Sequence, residues 1–585
     1  MEKRISVGTY IIVFLFIVFI LRLWDLQIIK GEKYKEIAEQ NRLRMVEILA
    51  PRGLIYDRNN IALVRNIPSF DISVIKEDLS EDPDTLSALG RLVGLKPEDI
   101  KARLERGAVN PFEPVKLRQN VSMEEVARVE AGKIDFPGLL VEVVVSREYI
   151  YGDFASHVMG YLGKLTIEQM KNPDYYDVPR RAFTGQRGAE KVFDRTLMGK
   201  AGKKVIEVDA MGRIIDVASI LQPVKGGDII LTIDMKLQAE AEDALKGKVG
   251  AVVALDPNTG EILVLASKPS FDPNLFARGI DYKDWKILVN DTKKPFLNRA
   301  IQSQYPPGST FKVITAIAAL EKGIITDNTV FECKGSIHLG RIFRCWKREG
   351  HGNIKLHRAI VESCDVYFYE IGKRLGIDTL SQYASDFGLG KPVGVELEGE
   401  RAGIVPTVAW KLRTKKEKWY KGETLNAVIG QGYLSATPIQ MARLMAAVVN
   451  GGKLFRPHIL KVEGSENRAE STIVIKPENI RLIKKALMSV VSDPNGTGRF
   501  AYSDIVKIGG KTGTTQVVGG STYGDVPEKY RDHAWFIAFA PEENPQISVS
   551  VFIEHGGHGS TVAAPIAKRV IEAFYRDRQK IKNQN

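Results

Sequence analysis

The chain opens on an apolar run from Ile5 to Leu21, with Lys3 and Arg4 ahead of it and Arg22 and Trp24 behind. With its flanks it reaches the roughly 20 residues that a membrane-spanning helix needs. The leading basic residues predict a cytoplasmic N-terminus, and Trp24 suits the far interface. No small-x-small cleavage site follows Leu21, so an uncleaved single-pass anchor is expected rather than a removed signal peptide. Residues 1–25 then form a cytoplasmic tail and transmembrane anchor, and the bulk lies outside the cytoplasm. No other stretch is long and apolar enough to span.

Two regions follow, at 26–225 and 226–580. In the first, Gln27 to Leu43 reads as an amphipathic helix leaving the membrane. Leu54-Ile55-Tyr56 between turn residues reads as a strand, and so does Leu139 to Val145. Polar helical segments lie around Leu86–Val93 and Met123–Ala131. No catalytic cluster is visible here, so a spacer or docking module is expected. In the second region, Gly226-Gly227-Asp228 precedes a strand at Ile229–Ile233 and a helix around Leu237–Leu245. Gly250–Leu255 and Glu261–Ala266, joined by Asp256-Pro257-Asn258-Thr259-Gly260, carry the signal of a hairpin. Ala534–Ala540 and Ile547–Ile553 make another strand pair, followed by a helix at Val562–Phe574 and a frayed polar tail. Strands at both ends with helices between predict an α+β fold, an antiparallel sheet with helices on its faces.

A nearly all-apolar segment runs from Phe311 through Val313, Ile314, Ile317 and Leu320 and stops at Gly323. It reads as a helix buried on all sides. The turn Tyr305-Pro306-Pro307-Gly308 delivers Ser309 to its start, and Lys312 follows three residues on, on the same face. A serine hydroxyl needs a base to become a nucleophile, and a desolvated lysine can serve as one. The helix N-terminus also offers N–H groups to a developing oxyanion. A capping serine beside a solvated lysine is the plainer reading of the same spacing. Two further clusters change the balance. Ser363-Cys364-Asp365 lies in a turn between two helical segments, Leu356–Val361 and Val366–Leu375. Ile508-Gly509-Gly510-Lys511-Thr512-Gly513-Thr514-Thr515 lies in a strand, where glycines let a substrate backbone approach.

Composition narrows the partners. With 585 residues the chain is too long for one core. Its 44% hydrophobic and 26% charged residues are those of a folded protein. The net charge of +12 favours anionic lipid head groups or an anionic polymer. No zinc-finger spacing, RNP-like aromatic motif or concentrated Lys/Arg stripe is present, so nucleic acid is not an expected partner. All three cysteines, Cys333, Cys345 and Cys364, fall within 32 residues together with His351, in the spacing C-x11-C-x5-H-x12-C. Three thiolates and an imidazole make a structural zinc set. A Cys333–Cys345 disulfide with Cys364 free, or three buried thiols, are the other readings.

The ordered trio at 309, 363 and 511 resembles the S-x-x-K, S-D-N and K-T-G signature of penicillin-binding proteins and class A β-lactamases. Arg22-Leu23-Trp24-Asp25-Leu26-Gln27, Ala50–Asn59, Gly188-Ala189-Glu190, Ile429-Gly430-Gln431-Gly432-Tyr433 with Thr437-Pro438, and Pro494-Asn495-Gly496-Thr497 resemble class B penicillin-binding proteins. Ser-x-Asp in place of Ser-x-Asn, with Gly350-His351-Gly352, resembles the penicillin-binding protein 2 branch, which serves cell elongation. The resemblance implies an anchor, an elongated non-catalytic pedestal at 26–225 and a transpeptidase domain at 226–580. It implies a peptidoglycan DD-transpeptidase that is trapped by β-lactams. Ser309 would attack the penultimate D-Ala carbonyl of a donor stem peptide, with Lys312 as base. The N–H groups of Ser309 and Thr514 would form the oxyanion hole. Ser363 would relay a proton, supported by Asp365, with Lys511 tuning the field. Thr512, Gly513 and Thr514 would bind the D-Ala carboxylate end. No cofactor is implied for catalysis. The implied partners are stem peptides or their lipid-linked precursor, a SEDS-family membrane glycosyltransferase and other elongation-complex proteins, at the inner membrane. The alternatives are a D,D-carboxypeptidase, a soluble β-lactamase, and a β-lactam sensor or scaffold without activity. The anchor and the lack of an assignable deacylating base speak against the β-lactamase.

Overall fold

The structure is a computed structural model, and it describes residues 2–35, 43–107, 114–179, 182–208, 214–277, 279–462, 468–517 and 527–582. The opening apolar run forms the helix Glu2–Trp24. Gly8–Ile29 is the one stretch among the described residues that is long and apolar enough to cross a membrane, and none of it is buried inside the protein. The helix expected over Gln27–Leu43 is not continuous. Asp25–Ile29 forms a π-helical turn, and Leu43 already opens the strand Leu43–Ile48. Residues 36–42 of that stretch lie outside the described residues.

The first region is built on the long strand Ala62–Ile75. Leu139–Tyr149 pairs along most of one edge. The other edge is shared by Ile55–Tyr56 and Pro114–Val121. Helices Pro83–Val93 and Met123–Gly132 start where capping chemistry is present: the Asp82 carboxylate accepts from Asp84 and Thr85 N–H, and Ser122 with Glu125 forms a capping box. Their apolar stripes, with Leu86, Leu89, Val93 and Val129, join the core under this sheet. A second sheet of Leu43–Ile48, Gly202–Val208 and Ile214–Leu221 has no counterpart in the sequence reading. Its strands carry interspersed charges and leave Met45, Ile215, Ile220 and Leu221 exposed, so the alternating pattern is weak.

The two regions share a sheet edge. Ile229–Ile230, shorter than the strand expected there, runs parallel to Ile55–Tyr56. Nearby, Arg52 and Arg147 are buried with Glu190 and Asp194. Glu190 accepts from Arg52 Nη2 at 2.8 Å and Arg147 Nε at 2.7 Å, and Asp194 accepts from Arg52 Nη2 at 2.8 Å. Two positive and two negative charges are thus closed on each other.

The second region holds a five-stranded antiparallel sheet. Its order is Ile262–Lys268, Gly250–Leu255, Ile547–Ile553, His533–Ala540 and Gly509–Thr515. The expected hairpins therefore meet in the middle, and the K-T-G strand is an edge. Helices Met235–Ala244 and Ala563–Lys582 contribute to one core cluster with this sheet. Helices Lys312–Glu321, Asp365–Leu375 and Pro477–Ser492 lie in a larger cluster with Trp535, Ile537 and Phe539. Every residue from Lys312 to Leu320 is buried, as the unbroken apolar pattern predicts. The C-terminal helix does not end at Phe574 with a frayed tail but continues to Lys582, with Arg576 paired to Glu572 at i,i+4. Residues 583–585 lie outside the described residues.

Candidate active site

Ser309 and Lys312 come together with the other two motifs at the junction of the helical layer and the edge strand. Ser309 does not cap an α-helix. It lies in a 3-10 turn, Gly308–Phe311, and the α-helix begins at Lys312. The tight turn follows from how its approach is pinned: Tyr305 N–H bonds the Ala436 carbonyl at 3.1 Å, and Gly308 N–H bonds the Gly430 carbonyl at 2.9 Å. Gly430 has φ +73, and a Cβ there would lie 2.1 Å from the Gly308 oxygen, so only glycine fits.

The Lys312 side chain is fully buried. Its Nζ donates to the Ser363 carbonyl at 2.9 Å, Ser363 Oγ at 3.2 Å and Asp365 Oδ1 at 2.7 Å, which uses the three donors of an ammonium. Ser363 holds φ +54, an uncommon conformation for serine, between helices Leu356–Val361 and Asp365–Leu375. Burial raises the Asp365 carboxyl above its ordinary value, against the pull of the Lys312 charge. Its other oxygen, Oδ2, accepts from Trp346 N–H at 3.0 Å.

On the facing strand, Gly509–Thr515 pairs only with His533–Ala540 among the described residues, leaving its outer edge open. Lys511 is fully buried, and burial with the nearby Lys312 charge pushes its ammonium well below the usual lysine range. A Cβ at Gly513 would lie 2.8 Å from the Pro307 carbonyl, so the strand and the nucleophile turn are in contact at this glycine. The structure thus gathers Ser309, Lys312, Ser363, Asp365, Lys511, Thr512, Gly513 and Thr514. Two ties have no signal in motif spacing: Thr512 Oγ1 bonds Thr497 Oγ1 at 2.8 Å, and Gln431 Nε2 donates to the Thr514 carbonyl at 3.1 Å.

Behind the second motif, Cys333, Cys345, His351 and Cys364 converge. One ligand atom from each lies within 4.8 Å of all the others. His351 Nδ1 is 3.5 Å from Cys333 Sγ and 3.6 Å from Cys345 Sγ. The cysteines are free thiols, so the Cys333–Cys345 disulfide is not formed. The hydrogen bond from Cys364 pulls the Cys345 thiol down, and Cys364 is pushed up in return. Cys345 Sγ also accepts the Asp365 N–H at 3.4 Å, which joins this cluster to the second motif.

This arrangement has relatives along its whole length. Residues 47–231 match the penicillin-binding protein dimerisation domain, and residues 250–572 the penicillin-binding protein transpeptidase domain. The chain is 35% identical to the peptidoglycan D,D-transpeptidase MrdA of Salmonella typhimurium, over 98% of this chain and 96% of that protein. It superposes with a TM-score of 0.80 and 29% identity on penicillin-binding protein 2 from a complex with MreC of Helicobacter pylori, covering 91% of this chain and 99% of that one. A chain from a peptidoglycan synthase complex that coordinates polymerization and crosslinking gives a TM-score of 0.73 at 32% identity, with 98% of each chain covered. With its three motifs in contact and both domain models matched in order, the chain belongs to the penicillin-binding proteins, as a serine D-Ala-D-Ala transpeptidase of the penicillin-binding protein 2 group.

Proposed function

We propose that the chain cross-links peptidoglycan stem peptides during wall elongation through an acyl-Ser309 intermediate, with roles divided as follows. Ser309 Oγ attacks the penultimate D-Ala carbonyl of the donor and passes its proton to Lys312. The N–H groups of Ser309 and Thr514 receive the oxyanion. The bond to the terminal D-Ala then breaks, and Ser363 relays the proton to the leaving amine. An acceptor amine takes the acyl group and restores the serine. Thr512, Gly513 and Thr514 hold the terminal carboxylate, and Lys511 adds positive field when charged. The observation that carries this reading is the Lys312 ammonium, bonded within 3.2 Å to both residues of the second motif. Asp365 Oδ1, 2.7 Å from Lys312 Nζ, holds the amine in place for this proton transfer. A fluorescent penicillin should label the protein and fail to label Ser309→Ala. Assay with a defined amine acceptor separates the transpeptidase from a D,D-carboxypeptidase, which would release only free D-Ala.

The cysteine cluster fits a structural zinc ion. Three thiols and one imidazole nitrogen are the donor set of a closed tetrahedral site, and their mutual distances suit Zn–S bonds of about 2.3 Å. His351 would bind through Nδ1, leaving Nε2 facing Glu362 Oε2 at 3.9 Å as an orienting neighbour. Elemental analysis of protein purified without chelator should find one zinc per chain, and its absence would sink the assignment.

The division we favour is an anchor to residue 25, a pedestal over 26–225 and a transpeptidase domain over 226–580. The anchor would hold the protein in the inner membrane with its N-terminus in the cytoplasm. A SEDS-family glycosyltransferase and other elongation-complex proteins are the expected partners. A relative solved with MreC and another solved within a peptidoglycan synthase complex support this reading.

A further inference from the structure

We propose that Gln431 is a positioning residue of the oxyanion hole, setting the orientation of Thr514. This rests on the reading that the Ser309 and Thr514 N–H groups receive the oxyanion. Those two groups come from different elements, a 3-10 turn and an edge strand, so their separation depends on whatever ties the elements together. Consecutive residues of one turn tie both. The Gly430 carbonyl holds Gly308 N–H at 2.9 Å, one residue before Ser309, and Gln431 Nε2 holds the Thr514 carbonyl at 3.1 Å.

The turn itself is anchored. Gly430 N–H bonds the Ala427 carbonyl and Gln431 N–H the Asn426 carbonyl, both at 2.9 Å. Thr315 Oγ1, from the nucleophile helix, bonds the Val428 carbonyl at 2.8 Å. At Thr514 itself, the Gln431 amide is the bond that ties the edge strand to this turn and, through it, to the helix. Among the described residues the strand has no pairing partner on its outer edge, where a peptide carbonyl is otherwise free to tilt. Thr515 Oγ1 is bonded to the Pro306 carbonyl at 2.5 Å, which fixes the strand one residue further on and leaves Thr514 as the point that Gln431 must hold. A carbonyl has two lone pairs, so the Gln431 bond leaves one for an N–H of a donor peptide laid along the edge. A single amide would thus align both the oxyanion donor and an acceptor for the substrate backbone.

The test is the rate of fluorescent-penicillin labelling of the full-length protein, for wild type, Ser309→Ala, Gln431→Leu and Gln431→Glu, from pH 8 to pH 5.5. Gln431→Leu should lower the first-order acylation constant on the order of tenfold at every pH, with the half-saturating concentration changed far less. Gln431→Glu should be at least as slow at pH 8, because a carboxylate faces a carbonyl oxygen there. Its rate relative to wild type should recover several-fold towards pH 5.5, as the carboxyl gains a proton to donate. A merely structural glutamine would give the same relative rate for Gln431→Glu at all pH values. That outcome, or wild-type rates for Gln431→Leu, overturns the proposal. If wild type is not labelled, or Ser309→Ala is labelled equally, it is the assignment of Ser309 that fails.

Discussion

The Lys511 amine is buried, and among the described residues its one hydrogen bond is to the Thr512 carbonyl, at 3.3 Å, with no counter-charge bonded to it. Burial holds its value in the folded chain well below the unfolded value of about 10.4. Between the two values the unfolded chain binds one more proton, so stability rises with pH across that window and is lower at neutral pH than it would be with an apolar side chain. Lys511→Met should therefore melt at a higher temperature than wild type at pH 7, with a flatter dependence up to pH 10, while labelling by penicillin falls on the order of a hundredfold. Thermal shift and labelling on the same samples check both. This opposition is why the residue stands out in the sequence: a lysine inside a Gly-rich strand is hard to explain by packing. Ser309, Lys312, Ser363, Asp365, Lys511 and Thr512 could be singled out in the sequence because each motif is short. The ties at Gln431 and Thr497 were not, because they join Thr514 and Thr512 across 83 and 15 residues and rest on geometry alone.

At the scale of elements, the second motif is a turn held from behind. Helix Asp365–Leu375 has no side-chain cap, and its first N–H group goes to Cys345 Sγ. Ser363 stays at φ +54 only if its surroundings hold it there. With zinc bound, Cys364 would be fixed inside this turn and Cys345 beside it, where it accepts the Asp365 N–H. Cys333→Ser should lower the acylation rate several-fold and release the metal, while Ser309 is still labelled at saturation. A chelator should do the same to wild type and nothing further to the variant. Stopped-time labelling with metal analysis distinguishes this from simple unfolding, which would abolish labelling altogether. The elements on either side were readable because hydrophobic periodicity and turn residues agreed, as in the hairpin Gly250–Lys268. The nucleophile turn was misjudged by one turn of helix, since nothing local distinguishes a 3-10 start from an α start. The bonds from Ala436 and Gly430 decide it, and they come from more than 120 residues away.

At the scale of the whole molecule, the question is how a cleft is held relative to the membrane helix. The chain leaving the anchor passes Arg52 and then Ile55–Tyr56, and that short strand pairs with Ile229–Ile230 on the way into the second region. Arg52 is locked to Glu190 and Asp194, and Glu190 also holds Arg147, which donates to the Gly53 carbonyl at 2.7 Å. Burial alone would raise the Glu190 carboxyl, but Arg147 and Arg52 outweigh it and hold it below its ordinary value. A lowered carboxylate contributes stability that is present above the unfolded value of about 4.3 and is lost as pH falls through the folded value. Glu190→Gln keeps the shape but leaves two buried guanidinium groups facing the single carboxylate of Asp194. Removing one partner from such a set costs about 3–5 kcal/mol. The variant should show a calorimetric transition at lower temperature and a shallower loss of stability than wild type as pH falls below about 5, because the Glu190 share is gone. Neighbours of the motifs (Phe311, Cys364, Trp535) pack in one core cluster and neighbours of this network (Ile55, Ala189, Leu197) in another, so penicillin labelling at 25 °C should stay near wild type. If the variant is instead unlabelled while still folded, the network reaches the catalytic motifs, and the first region contributes to the site's geometry.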